Sequence, residues 1–166
     1  MAQLTFKPYE AEDAKTLLGL FYEMAEYEGI LDQLRATEQD LKRWILDEKM
    51  LHMRLICEDG VAIGYVCWYY NFSSFLCKPG LYLEDVYIQP AHRGKGYGTE
   101  ALSAVTRFCF EKTELQRLWA QVDVRNLPSR KMLEKCGYVR EGLIRQGKMV
   151  NTRCDYYIYA KLKEEK

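Results

Sequence analysis

Three glycines at alternate positions, in Arg93-Gly94-Lys95-Gly96-Tyr97-Gly98, separate a β-favouring run from a helical one. Their backbone amides carry no shielding side chain. Such a turn, opening onto a helix N-terminus with its partial positive charge, suits an anion and a diphosphate in particular. Arg93 and Lys95 add charge. The spacing matches neither the phosphate loop Gly-x4-Gly-Lys-Ser/Thr nor the dinucleotide fingerprint Gly-x-Gly-x-x-Gly. The physics therefore says an anion at a strand-to-helix turn, with a flexible connector as the alternative.

Other reactive residue types offer less. Cys57, Cys67, Cys77, Cys109, Cys136 and Cys154 form no Cys-x-x-Cys pair and no zinc spacing with His52 or His92, so free thiols and no metal site are expected. His52 abuts a strand without a motif, and His92 beside Arg93 supports phosphate charge. The aromatic run Trp68-Tyr69-Tyr70-Asn71-Phe72 could wall a substrate cavity, although a strand packed on both faces looks the same and is favoured.

The elements that must position these residues follow from periodicity. A short strand is expected at Leu4–Lys7 and an amphipathic helix over Asp13–Glu28, with Leu17, Leu18, Phe21, Met24 and Ala25 inward. A second helix starts at Thr37, where Thr37-Glu38-Gln39-Asp40 resembles a capping box; Leu41, Trp44 and Ile45 would face the core. Met53–Glu58 and Val61–Tyr70 pair through Asp59-Gly60, a hairpin signal because both positions tolerate positive φ. After an irregular stretch through Lys78-Pro79-Gly80, Leu81–Ile88 is a strand closed by Pro90.

A helix over Thr99–Glu111 follows the glycine turn, with Ala101, Leu102, Val105 and Phe108 inward. Leu118–Val124 is the next strand. Asn126 caps a helix that Gly137 stops, and Tyr138–Arg140 and Asp155–Leu162 are the last strands. This order predicts a single α/β domain over residues 1–166: a mixed, mostly antiparallel central sheet of six to seven strands with helices on both faces.

Formal net charge is zero, but residues 1–90 carry 8 Lys and Arg against 15 Asp and Glu, and residues 91–166 carry 16 against 9. An anionic ligand belongs with the second half and a cationic one with the first. No run approaches the roughly 20 apolar residues of a membrane-spanning helix, and the N-terminus lacks a signal-peptide pattern, so a cytoplasmic protein without a membrane partner is expected. Nucleic-acid binding would rest on the basic half alone, without a helix-turn-helix or stacking-aromatic signature, and is set aside.

The segment Leu83–Thr99, with Val86-Tyr87-Ile88 before the glycine turn, resembles the acetyl-CoA motif of the GCN5-related N-acetyltransferases. Asn126-Leu127-Pro128-Ser129 through Glu134-Lys135-Cys136-Gly137-Tyr138 is similar to that family's next segment. The resemblance implies acetyl-CoA as acetyl donor. In it, amides of Val86 and Ile88, with Tyr87 between them, hold the pantetheine and thioester carbonyl. Amides of Gly94, Lys95, Gly96, Tyr97, Gly98 and Thr99, with Arg93, hold the pyrophosphate, and Asn126 and Ser129 lie at the cofactor's far side.

Ala25-Glu26-Tyr27-Glu28, Thr37-Glu38-x-Asp40-Leu41 and Leu81-Tyr82-Leu83-Glu84-Asp85 resemble the diamine (spermidine/spermine) acetyltransferases, which implies an amine site at Tyr27, Glu28 and Glu84. That family's tyrosine acid falls on Leu133, and its acidic and tryptophan positions fall around Ser73-Ser74-Phe75-Leu76. Glu141-Gly142 and Asn151-Thr152-Arg153 are closer to the ribosomal-protein and N-terminal amine acetyltransferases. The partner is thus a small-molecule or peptide amine, and a homodimer is left open.

An ammonium of pKa about 10 must lose a proton before it attacks a thioester. Glu84 is the leading base, with an edge-strand ion pair as the alternative. Tyr138, Cys136 or water could protonate the leaving thiolate, Tyr138 being the better fit to a core strand. A protein that binds acetyl-CoA without turnover is the rival reading.

Overall fold

A computed structural model describes residues 3–75, 77–149 and 152–165. The expected Asn151 and the Leu76 position lie outside the described residues. The sheet has seven strands in the order β1-β2-β3-β4-β5-β7-β6, where β1 is Leu4–Pro8, β2 His52–Glu58, β3 Val61–Ser73, β4 Lys78–Ile88, β5 Arg117–Asp123, β6 Val139–Met149 and β7 Thr152–Leu162. β4 and β5 run parallel, whereas β1–β2, β2–β3, β5–β7 and β6–β7 are antiparallel. No helix among the described residues is long and apolar enough to cross a membrane.

The chain forms two compact units, one of residues 1–68 and 85–98, the other of residues 69–84 and 99–166. In the first, helix α1 (Ala14–Tyr27) buries Leu17 and Leu20 in a core shared with Tyr9, Leu41, Met53, Leu55, Tyr65 and Tyr87. Phe21, Tyr65 and Tyr87 form a tilted series of rings 5.0 and 5.7 Å apart. The short helix α2 (Glu38–Leu41) starts on the expected capping box: Thr37 Oγ1 accepts the Asp40 amide, and the Asp40 carboxylate accepts that of Thr37, both at 3.1 Å. The β2–β3 turn has φ of +50° at Asp59 and +83° at Gly60, as the Asp-Gly signal requires.

Trp44 departs from expectation. It is 44% exposed, with the Arg43 guanidinium 4.5 Å over its ring. The chain after α2 continues as a π-helical turn, Lys42–Asp47, whose wider spacing carries Ile45 inward and Trp44 out.

The second unit contains α3 from Thr99 onward (the helix spans Tyr97–Lys112), α4 (Leu127–Lys135) and strands β5, β7 and β6. Leu118, Ala120 and Val122 alternate into the core along β5. On α3 the buried stripe is Ala101, Leu102, Val105 and Cys109, so Phe108, expected inward, falls at its edge and is 44% exposed. Asn126 Oδ1 accepts the Ser129 amide at 3.2 Å to cap α4, and Gly137 follows it at φ +80°.

Three strand expectations were short. β6 and β7 each span 11 residues, and register irregularities between Arg140 and Gly142 and between Ile144 and Gly147 let β6 run on past its glycines. Likewise β4 takes in Pro79 and Gly80. Pro79 is tolerated as the second residue of the strand, and Gly80 lies against the Asn71 side chain, where a Cβ would come within 2.7 Å of Oδ1.

Among the glycines of the first unit, Gly64 has the closest neighbours. A Cβ there would lie 2.1 Å from the Tyr87 carbonyl oxygen and 3.1 Å from the Ile88 Cα. Only glycine lets β3 lie this close to the end of β4. Gly64→Ala should lower the denaturant-unfolding free energy by roughly 1–3 kcal/mol, the usual cost of overpacking. A variant as stable as the parent would show that the two strands have room to part.

Candidate functional site

β4 ends at Ile88, and the next amide, that of Gln89, is held by the Ile63 carbonyl at 2.9 Å. A turn of 3₁₀ helix at Pro90–His92 reverses the chain, and α3 starts at Tyr97. Gly94 and Gly96 have φ of +80° and +86°, and a Cβ built on either would meet no atom within 4 Å. The backbone here is both left-handed and uncovered, at the end of a long helix whose first amides lack intrahelical partners. Gly98, by contrast, is the second residue of α3 and helical. The third glycine of the motif therefore belongs to the helix, where it keeps side-chain bulk off the first turn.

The basic side chains of the turn are engaged by the protein. Arg93 Nε donates to the Ile88 carbonyl at 2.8 Å, and its guanidinium lies 4.2 Å from the ring centre of Tyr27 and 5.6 Å from that of Tyr87. Tyr27, implied for the amine site, thus stacks on the first residue of the glycine turn while staying 57% exposed. Lys95 Nζ donates to Glu58 Oε1 at 3.1 Å, the Tyr97 hydroxyl donates to the same oxygen, and His92 Nδ1 pairs with Oε2.

Sequence reasoning missed Glu58. It ends β2, outside any motif, and only its place beside the turn reveals it. Its side chain is 12% exposed, with both oxygens engaged by these three partners. Hydrogen bonding by Tyr97, reinforced by Lys95 and His92, holds the carboxyl well below the usual range, at about 2. Glu23 on α1 is a second unforeseen neighbour: it accepts from Gln89 Nε2 with both oxygens at 3.0 Å and from the Tyr87 hydroxyl at 3.4 Å.

Glu84, Thr99, Asn126, Ser129 and Tyr138 belong to the second unit, Glu84 being joined directly to Asp85 and Thr99 to Gly98. The parallel ladder between β4 and β5 covers only Leu81↔Leu118 and Tyr82↔Trp119. Glu84, two residues on, faces the same side of β4 as Tyr82. Its carboxyl is open to solvent although protein occupies much of the surrounding volume, and the lost hydration raises its pKa. Its charge is felt by Tyr69, whose hydroxyl is pushed up by burial first and by Glu84 second. Tyr69, Tyr82 and Trp119 form a series of rings 5.0 and 4.6 Å apart. In the aromatic run of β3, burial ends at Trp68; Tyr69, Tyr70 and Phe72 are exposed, so packing on both faces stops there.

Tyr138 is a core residue. It is 3% exposed, and its hydroxyl donates to Thr106 Oγ1 at 2.8 Å, since that Thr106 hydroxyl is itself committed to the Leu102 carbonyl at 2.7 Å. Burial keeps the phenol protonated far above its ordinary range. Leu133 is also buried. Cys136 Sγ lies 3.5 Å from the Thr99 carbonyl and 3.4 Å from Ser103 Oγ. All six cysteines are free, and no group of metal-ligating side chains occurs among the described residues.

The acetyltransferase (GNAT) family pattern matches residues 16–138. The chain is similar to the thialysine N-ε-acetyltransferase of Bos taurus, 27% identical over 68% of this chain and 71% of that protein. It is also similar to the human spermidine/spermine N(1)-acetyltransferase-like protein 1, 31% identical over 75% of this chain and 20% of that protein. Among solved structures, a ribosomal L7/L12 alpha-N-protein acetyltransferase in complex with coenzyme A superposes with a TM-score of 0.79, covering 96% of this chain and 93% of that one at 14% identity, a likeness of fold.

The depressed Glu58 pKa has a signed consequence. An acid with a lower pKa folded than unfolded stabilises the fold fully above its unfolded value, near 4.5, and loses that contribution as pH falls toward 2. The stability gap between the parent and Glu58→Gln should hold steady from pH 7 to about 5 and close between 4.5 and 2. A gap unchanged at pH 2.5 in urea melts would show that the carboxylate charge contributes nothing.

Proposed function

The chain belongs to the acetyltransferase (GNAT) family, and from that premise we propose that it transfers the acetyl group of acetyl-CoA to a primary amine of a small polycationic acceptor. The observation that carries the donor half is the turn at Gly94 and Gly96: left-handed, free of covering atoms and continuous with the start of α3. A diphosphate fits such a surface, because peptide N–H groups and the helix dipole both favour negative charge. Val86 and Ile88 would offer amides to the pantetheine arm, and Asn126 and Ser129 would lie toward the cofactor's far end. The cofactor supplies an activated thioester carbonyl.

The protein's part is to deliver a neutral amine. Glu84 accepts a proton from the incoming ammonium, directly or through water, and its raised pKa narrows the gap to the amine's own value of about 10. Its exposure lets that proton leave to solvent. The amine nitrogen then forms the amide bond as the carbon–sulfur bond breaks, and the second N–H proton passes through water to the departing thiolate. With Leu133 aliphatic and the Tyr138 hydroxyl held by Thr106, neither side chain supplies that proton.

The acceptor class is read from α1. Glu23, Glu26 and Glu28 gather at its C-terminal end, and its last turn holds no basic residue. Helix C-termini carry partial negative charge, to which these three carboxylates add, and that field would draw a cationic acceptor toward Tyr27 and Glu28. The similarity to a spermidine/spermine acetyltransferase-like protein supports the same class.

Thiol release with a panel of amines tests the proposal. Spermidine should exceed monoamines and short peptides in kcat/KM at low salt, and the advantage should shrink at higher ionic strength as the field is screened. Monoamines or peptides as the better acceptors would overturn the polycation assignment and leave acyl transfer standing.

Glu84→Gln should lower turnover at neutral pH and recover partly toward the pKa of the amine, with CoA affinity unchanged. A pH profile matching the parent would place the base elsewhere.

A further inference from the structure

We propose that Glu58 is the positioning residue of the phosphate-binding turn: it anchors His92, Lys95 and Tyr97 together, so that the diphosphate is held by backbone amides rather than by the basic side chains of the turn. This rests on the acetyl-CoA reading above and deepens it.

The side chains that sequence offers to an anion are already committed. Lys95 gives its ammonium to Glu58 Oε1 at 3.1 Å, and Arg93 turns its Nε onto the Ile88 carbonyl at 2.8 Å with its guanidinium over Tyr27. His92 holds the other Glu58 oxygen. The attachment points fall at positions 92, 95 and 97, so they bracket Gly94 and Gly96 on both sides. Glycines have more conformational freedom to lose than any other residue. Tying their neighbours to one carboxylate removes that freedom before the ligand arrives, and charge-assisted bonds to a carboxylate are the strong ones. Because Glu58 closes β2 and its partners lie 34 to 39 residues away, the contact also fastens the turn to the sheet.

Calorimetric titration of the full chain with CoA, and separately with pantetheine, which lacks the phosphates, tests this. Glu58→Gln should weaken CoA binding about tenfold, the scale of one charge-assisted hydrogen bond, and leave pantetheine affinity unchanged. Lys95→Met, which removes one of the three anchors, should weaken CoA binding by less than Glu58→Gln does. Tyr97→Phe, which removes one bond and keeps the ring, should fall between the two and guards against a Glu58 variant that fails to fold. Gly96→Asp, placing a carboxylate where the phosphate belongs, should abolish CoA binding. Amide exchange at Gly94 and Gly96 should quicken in Glu58→Gln without CoA present.

Glu58→Gln binding CoA as tightly as the parent, or more tightly, overturns the assignment by making the carboxylate a bystander or a competitor of the anion. So does a Lys95→Met loss as large as that of Glu58→Gln, which would make the ammonium a phosphate ligand. A parent chain that takes up no CoA sinks the acetyl-donor reading itself and this assignment with it.

Discussion

Gly94 and Gly96 impose the constraint on which the rest depends. An anion can be held by peptide amides only where the backbone turns them outward and nothing covers them, and here that takes two left-handed residues in a three-residue span. Any L side chain would strain the backbone and fill the space. Elements on both sides of the turn serve this geometry: β4 delivers the chain to it, Glu58 ties it down, and α3 begins as it ends.

β4 carries the residues proposed for both the donor and the acceptor. Within five residues it carries Glu84, then Val86 and Ile88, at a strand's alternating spacing. Its course is set at one end by the ladder Leu81↔Leu118 and Tyr82↔Trp119, and at the other by Gly64, which admits the Tyr87 carbonyl at a distance no larger residue allows.

The two notable carboxylates show how environment divides one functional group into two roles. Glu58 sits among donors, so its charged form is favoured and its pKa falls to about 2. Glu84 has lost hydration without gaining a charged partner in compensation, so its pKa rises. Opposite shifts in like groups follow from opposite surroundings, donors around one and lost hydration at the other.

Sequence alone determined what depends on local chemistry. The capping box at Thr37, the Asp59-Gly60 hairpin, the Asn126 cap and the strand–turn–helix around Gly94 were all legible, because each is settled by residues within a few positions of one another. Where side chains meet across tens of residues, it was silent. Glu58 reaches His92, Lys95 and Tyr97 across 34 to 39 residues, and Arg93 lies over Tyr27 with its Nε on the Ile88 carbonyl. Tyr138 proved a core residue because Thr106 on another element takes its hydroxyl. Trp44 was carried outward by a π-helical turn that periodicity at 3.6 cannot register. Local propensity chooses the elements and the turn chemistry; partner, burial and charge state belong to contacts that exist only once the chain has folded.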